Sequence, residues 1–221
     1  MNGLTVVIPS KTAANFIPCA EAVRRHELKA IIRLIDDGID LSFLPRQDLE
    51  PAVGHKGVKP FVFARNVNIG IREAGTNDVI LLNDDAILET PGGFTLLQEA
   101  AEDHPEYGII AATTNNVGNI NQHPQGKGLR EDPRMVCFIC VLIPRRTIDQ
   151  VGLLDERYCL DYGCEDNDYC EAVRRAGLKI GIHDGCFVDH KSLTSSFRGN
   201  PGQSISFRKN YELFRQKWGI A

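Results

Sequence analysis

Acidic and imidazole side chains gather in four tight clusters along the chain: Asp36-Asp37, Asn83-Asp84-Asp85, Glu165-Asp166-Asn167-Asp168, and His183-Asp184 with Asp189-His190. Taken singly, each has an ordinary structural reading. Asp-Gly after a strand is a turn, and acids that open a helix complement its dipole. Adjacent carboxylates at a strand end nevertheless repel each other unless a cation lies between them, and a hard divalent ion with oxygen ligands is the usual remedy. Four such clusters in one chain favour a site that handles an anion through a metal. Seven cysteines add a CxxC at Cys137 and Cys140, followed by Cys159, Cys164 and Cys170. The CxxC lies in an apolar run that reads as a buried strand, so packing thiols fit better than zinc ligands, and the odd count at uneven spacing argues against a disulfide framework.

The elements that must position these clusters alternate between strand and helix, the pattern of a parallel sheet with covering helices. Leu4 to Ile8 reads as a strand stopped by Pro9 and Ser10, Ala13 to His26 as a helix, and Ile31 to Ile35 as a strand ending in Asp36-Asp37-Gly38. A polar connection covers about 44–60. Phe63 to Ala74 is helical, and Val79 to Leu82 is a strand that ends in Asn83-Asp84-Asp85. Both strands deliver carboxylates at their C-terminal ends, where ligands bind in open α/β sheets. A helix to about Asp103 and a strand from Gly108 to Ala112 come next, and the aperiodic polar stretch Thr113 to Arg134 reads as a binding loop or lid. Met135 to Ile143 reads as a strand, with helices over Arg145 to Val151 and Asp166 to Ala176. Phe207, Tyr211, Phe214 and Trp218 recur at helical intervals and predict a terminal helix packed on the domain rather than a membrane anchor.

Composition sets the outer limits. With 221 residues, 43% hydrophobic and 24% charged, the chain can bury a core without staples. A net charge of -4 argues against a protein that coats nucleic acid or an anionic membrane. The first apolar run lacks a basic flank, and no stretch approaches the roughly 20 apolar residues of a span, so no membrane span and a cytoplasmic location are expected.

In order and spacing the motifs resemble the family 2 glycosyltransferases, inverting enzymes of GT-A fold, over nearly the whole chain. They are Thr5-Val-Val-Ile-Pro-Ser10, Ile35-Asp-Asp-Gly38, Ala64-Arg-Asn-Val-Asn-Ile-Gly-Ile71 and Val79-Ile-Leu-Leu-Asn-Asp-Asp85, then Val151-Gly-Leu-Leu-Asp-Glu156, Gly163-Cys-Glu-Asp-Asn-Asp-Tyr169, Arg174-Arg-Ala-Gly177 and Lys217-Trp-Gly219. The resemblance implies an α/β GT-A fold: a Rossmann-like, mixed but mostly parallel sheet with helices on both faces. It implies one domain over 1–221, with 1–112 mainly binding a nucleotide sugar and 113–221 mainly carrying the acceptor side and the base.

The same resemblance assigns roles. Asp36 contacts the nucleobase, Pro9 and Ser10 form the adjoining wall, Arg65 reaches base or phosphate, and Asn68 matches an asparagine of the family's helix motif. Asn83-Asp84-Asp85 stands in the DxD position, with Asp85 as metal ligand and Asp84 toward ribose or the donor sugar. His190 resembles the histidine that completes metal coordination. The ion is Mn²⁺ or Mg²⁺, and an imidazole ligand favours Mn²⁺. Asp166 is the base that deprotonates the acceptor hydroxyl, and Glu165 or Asp168 position the acceptor or hold the helix start. Cys164 departs from the aromatic or small residue frequent at its position, which leaves the acceptor pocket undefined. The implied donor is a nucleotide-diphosphate sugar, UDP or dTDP favoured and GDP left open. The acceptor is a hydroxyl compound, selected by loops, a partner subunit or a second copy of the chain. Two alternatives compete: a non-catalytic nucleotide-sugar or carbohydrate-binding module, and a sugar-phosphate nucleotidyltransferase. The latter normally has a glycine-rich loop after its first strand, whereas Pro9-Ser-Lys-Thr-Ala-Ala-Asn15 contains no glycine.

Overall fold

Central strands in this chain are buried at every position and mostly apolar, and the reason is that both faces of the sheet are covered. In β1 (Leu4–Ser10), Val6 and Ile8 pack into one core with Phe16, Cys19 and Val23, whereas Val7 faces a second core with Val67 and Ile71. The same period-two split divides Ile80 and Leu82 from Val79 and Leu81 in β4 (Asp78–Leu82), and Ile110 and Ala112 from Ile109 and Ala111 in β6 (Tyr107–Thr114). Continuous apolar runs of this kind belong to sheets buried on both sides. The computed structural model describes residues 2–39, 52–58, 61–158, 163–193 and 203–220; Cys159 and most of the 44–60 connection lie outside them.

The remaining elements are α1 (Ala13–His26), β2 (Ile31–Asp36), β3 (Ala52–Lys56), α2 (Phe63–Glu73), β5 (Ile87–Leu88) and α3 (Gly93–Asp103), followed by β7 (Leu129–Glu131), β8 (Cys140–Ile143), α4 (Arg145–Val151), α5 (Glu165–Arg175), β9 (Lys179–Asp189) and α6 (Gln203–Trp218). Among the described residues the strands form one nine-stranded sheet in the order β3-β2-β1-β4-β8-β6-β9-β5, with β7 on β9. The β2–β3, β1–β2, β1–β4 and β6–β9 pairings are parallel, and the shorter pairings of β8, β5 and β7 are antiparallel. The sheet is thus mixed, with α1 and α3 on one face and α2, α4 and α5 on the other. The order of strand addition reverses about β1, which brings the carboxyl ends of β1, β2 and β4 to one crevice, the place where such sheets bind ligands.

Local chemistry sets the element ends. The Thr12 hydroxyl accepts the Asn15 amide at the start of α1. Buried Glu27, just past the end of α1, caps α3 across the fold: its Oε1 accepts the amides of Phe94 at 2.5 Å and Thr95 at 3.0 Å, and its Oε2 accepts the Thr95 hydroxyl at 2.8 Å. Gly70 lets α2 lie directly on β1, because any Cβ there would run into the Val7 side chain.

Three expectations are corrected. Met135 to Ile143 is not one strand: the Ile139 amide donates to the Cys137 carbonyl, a turn breaks the run, and only Cys140–Ile143 joins the sheet. Thr113 to Arg134 is not all loop, for a short 3-10 turn at Ile120–Gln122 and β7 (Leu129–Glu131) lie within it. β6 continues to Thr114, and the residues beyond it are pinned by polar side chains in place of an apolar core. Asp132 accepts from Asn119, Asn121 and the amides of Arg134 and Met135, Gln122 pairs with both backbone groups of Cys137, and Arg130 bridges to Asp184 at 3.0 Å. Desolvation opposes the Asp132 charge, but those four donors outweigh it and hold the carboxyl below its ordinary range. The terminal aromatic stripe divides: Phe214 is buried with Tyr158 and Cys164 and Trp218 packs against them, whereas Phe207 and Tyr211 are exposed.

Candidate active site

The crevice opens into a cavity of about 390 Å³ whose wall includes Pro9, Asn83, Asp84, Asp85, Cys164, Glu165, Asp166 and His190. Eight of the residues singled out from sequence therefore share one wall. They arrive from distant elements: β1 supplies Pro9, the turn after β4 supplies Asn83 to Asp85, α5 opens with Glu165-Asp166, and His190 directly follows β9.

Asp84 is buried, and the Ser10 hydroxyl donates to its Oδ2 at 2.5 Å, tying the ends of β1 and β4 together. Desolvation raises its carboxyl above the ordinary value against the Ser10 hydrogen bond, and the neighbouring Asp85 charge adds to the rise. Asn83 is fixed through its backbone, whose amide donates to the Ile139 carbonyl at 2.9 Å.

Asp85 faces His190, with Oδ1 3.1 Å from Nε2. The other ring nitrogen, Nδ1, lies 2.7 Å from the Asn116 carbonyl oxygen. A carbonyl only accepts, so Nδ1 carries hydrogen, and in the neutral ring Nε2 turns its lone pair to a carboxylate. Two acceptors at that distance require a proton or a cation between them. The backbone around the histidine is held as firmly as the ring. Its amide donates to Asn115 Oδ1 at 2.9 Å, its carbonyl accepts from Asn116 Nδ2 at 3.0 Å, and Asn115 Nδ2 donates to Asp189 at 2.6 Å. An orienting partner on the second nitrogen is characteristic of metal-binding imidazoles. Among the described residues no group of three or more Asp, Glu, His or Cys side chains stands ready for a metal ion. The pair offers two ligands, which suits an ion that takes its other oxygens from a diphosphate and water.

Across the wall, Cys164 is the single non-glycine residue with positive φ among the described residues, at 78°. That conformation costs a β-carbon-bearing residue about 1–3 kcal/mol. It turns the chain sharply into α5, so that Glu165 and Asp166 open the helix where its dipole favours negative charge. Burial pushes both carboxyls well above the ordinary carboxylate range. Backbone hydrogen bonds oppose the rise at both: those of Asn167, Asp166 and Phe138 at Asp166, the Asn167 amide lying 2.8 Å away, and those of Glu165 and Gly163 at Glu165, where the charge of Asp166 adds to the rise.

The other sequence candidates stand away from this wall. Asp36 is in register with Ser10 at the ends of β2 and β1, and its Oδ1 closes the turn by accepting the amides of Gly38 at 2.7 Å and Ile39 at 2.6 Å. Arg65 lies 3.8 Å from Glu156. Asn68 is buried against 154–156, donating to the Leu154 carbonyl at 2.9 Å and to Glu156 at 3.0 Å while accepting the Leu154 amide at 3.0 Å. Asp168 is a buried anchor for α6: it accepts from Tyr158 at 2.9 Å, Lys217 at 2.8 Å and Trp218 at 2.8 Å. Sequence reasoning missed Asn115 and Asn116, whose signal was two adjacent asparagines directly after a strand. It also missed Phe207, which lines the cavity from α6.

Fold and crevice together define a GT-A-like domain. No protein-family model matches the chain, and no curated protein matches its sequence. The similarity is to solved structures. The crystal structure of GalNAc-T7 with UDP, GalNAc and Mn²⁺ superposes with a TM-score of 0.77 at 13% identity, over 98% of this chain and 48% of the other. The chain thus spans about half the length of that structure, and at this identity the likeness is one of fold.

Proposed function

We propose that the protein is a metal-dependent inverting glycosyltransferase of the family 2 type, moving a sugar from a nucleotide-diphosphate donor to a hydroxyl acceptor. The observation that carries the reading is one cavity walled both by an oriented Asp85–His190 pair and by the Glu165–Asp166 carboxyl pair that opens α5. Asp85 and His190 hold Mn²⁺ or Mg²⁺, which when bound supplies charge to balance the departing diphosphate. Asn83 and Asp84 border the donor sugar or ribose. Pro9, Ser10 and Asp36 form the nucleoside side, with UDP or dTDP as favoured carrier. The half over 1–112 thus serves the donor, and 113–221 the acceptor and base.

In the transfer step Asp166 takes the proton of the acceptor hydroxyl as its oxygen attacks the anomeric carbon. The bond from that carbon to the phosphate oxygen breaks, and its electron pair leaves with the diphosphate. Glu165 beside it positions the acceptor or holds the start of α5. Release of nucleoside diphosphate from a panel of UDP-, dTDP- and GDP-sugars with Mn²⁺ tests the reading. Turnover of one donor that disappears in Asp166→Asn, with donor binding kept, is the expected result; turnover that survives Asp166→Asn contradicts the base assignment.

A further inference from the structure

Helix α6 turns two aromatic rings to solvent instead of into a core, and one of them, Phe207, lines the cavity. Phe207 and Tyr211, one turn apart, are 43% and 42% exposed, and their rings stack 6.0 Å apart and 9° from parallel. Tyr211 stacks in turn on Phe214, at 6.1 Å and 23°, and Phe214 is buried with Tyr158 and Cys164. The ladder runs from a fixed inner ring to an outer ring that lines the cavity. Its seat is Gly163: a Cβ there would approach Phe207 Cδ2 to 2.7 Å, and Asn210 Nδ2 donates to the Gly163 carbonyl at 2.9 Å. Gly163 precedes Cys164, Glu165 and Asp166, so the aromatic ledge is continuous with the base and not with Ser10 and Asp36.

Exposed aromatic faces beside a polar site are surfaces to be covered by a ligand. The matching chemistry is a ring with an apolar C–H face and a polar rim, and the Tyr211 hydroxyl adds a hydrogen-bonding edge to the ledge. We propose that Phe207, braced from behind by Tyr211, forms an acceptor subsite that stacks a pyranose ring, so that the acceptor is itself a glycoside with one hydroxyl directed to Asp166. The assignment to the acceptor rests on the transferase reading above; the stacking itself does not.

Saturation-transfer NMR of the full chain with methyl glycosides of glucose, galactose, mannose, N-acetylglucosamine and N-acetylgalactosamine tests it, beside calorimetry with UDP and Mn²⁺. At least one glycoside is expected to receive saturation at its ring protons. Phe207→Ala should weaken that binding by roughly fivefold to tenfold, Phe207→Trp should restore it, and UDP binding should stay unchanged in both. Tyr211→Ala, which leaves the Gly163 seat intact, should weaken it independently. No binding of any glycoside, or binding indifferent to both alanine variants, overturns the proposal. So does Phe207-dependent sedimentation with phosphatidylglycerol vesicles in the absence of glycoside binding, which would make the ledge a membrane contact. Phe207-dependent glycoside binding with no response to UDP would leave the stacking subsite standing and refute the transferase reading.

Discussion

At the scale of residues, the site separates two carboxyl groups by what surrounds them. Burial raises both carboxyls, three backbone hydrogen bonds oppose the rise at Asp166, and at Glu165 two oppose it while the Asp166 charge adds to it. On the proposed mechanism two variants should behave unequally. Asp166→Asn, which removes the proposed base, should lower kcat by about 10²–10⁴, the usual range for general base catalysis, with little change in donor affinity. Glu165→Gln keeps the shape of the neighbouring group and should keep most of the activity. The pH dependence follows in sign. A base works when deprotonated, so kcat/KM should rise with pH along a limb above the ordinary carboxylate value of about 4, because burial lifts the Asp166 carboxyl. Stability should move the other way. A carboxyl whose folded pKa is raised binds its proton more tightly in the folded chain, so its contribution is complete below about pH 4 and is lost as pH rises through the folded value. Melting curves of wild type and Glu165→Gln should thus diverge as pH rises, with the variant falling less. The acids of this site were legible in the sequence because four clusters at element ends occur in one chain, although each alone has an ordinary structural reading. Asn115 and Asn116 were not, because their function is to hold a histidine some 75 residues away, and no local pattern encodes that.

At the scale of elements, helices and central strands were readable where one periodicity and one stop signal agreed, as at Ala13 to His26 and Arg145 to Val151. Reading failed where the backbone broke its own period. β9 was invisible as a strand because its ladder with β6 jumps from His183 to Phe187, and the bulged residues Asp184 to Cys186 interrupt the alternation. The 113–134 segment looked structureless because its stability lies in asparagine, glutamine and aspartate side chains bonded to backbone. The same logic of distant polar caps makes Glu27 a test. Glu27→Ala leaves the first amides of α3 without their acceptor, and urea denaturation should register a loss of about 1–2 kcal/mol, whereas an exposed acid such as Glu99 replaced by Ala should change little.

At the scale of the whole molecule, a modest negative charge hides a local order in which acids serve opposite roles: some face the crevice, and Asp168 binds the terminal helix. Asp168 accepts from Tyr158, Lys217 and the chain's single tryptophan. Asp168→Ala should therefore cost about 3 kcal/mol, as loss of one partner of a buried hydrogen-bonded ion pair does, and should shift Trp218 fluorescence as α6 loosens. Since α6 also carries Phe207 to the cavity, acceptor affinity should fall with it while nucleotide affinity holds. Among the described residues no helix is long and apolar enough to cross a membrane, and the GT-A-like fold covers nearly the entire chain. The function proposed above would unite these parts through a donor diphosphate held by way of an ion at Asp85 and His190. Calorimetric titration of UDP, dTDP and GDP, with Mn²⁺ and again with a chelator, tests that claim most directly. The account predicts that at least one diphosphate binds with the ion present, and that binding is lost on chelation and in Asp85→Asn and His190→Ala. Binding that persists without the ion, or no binding of any of the three, would contradict it.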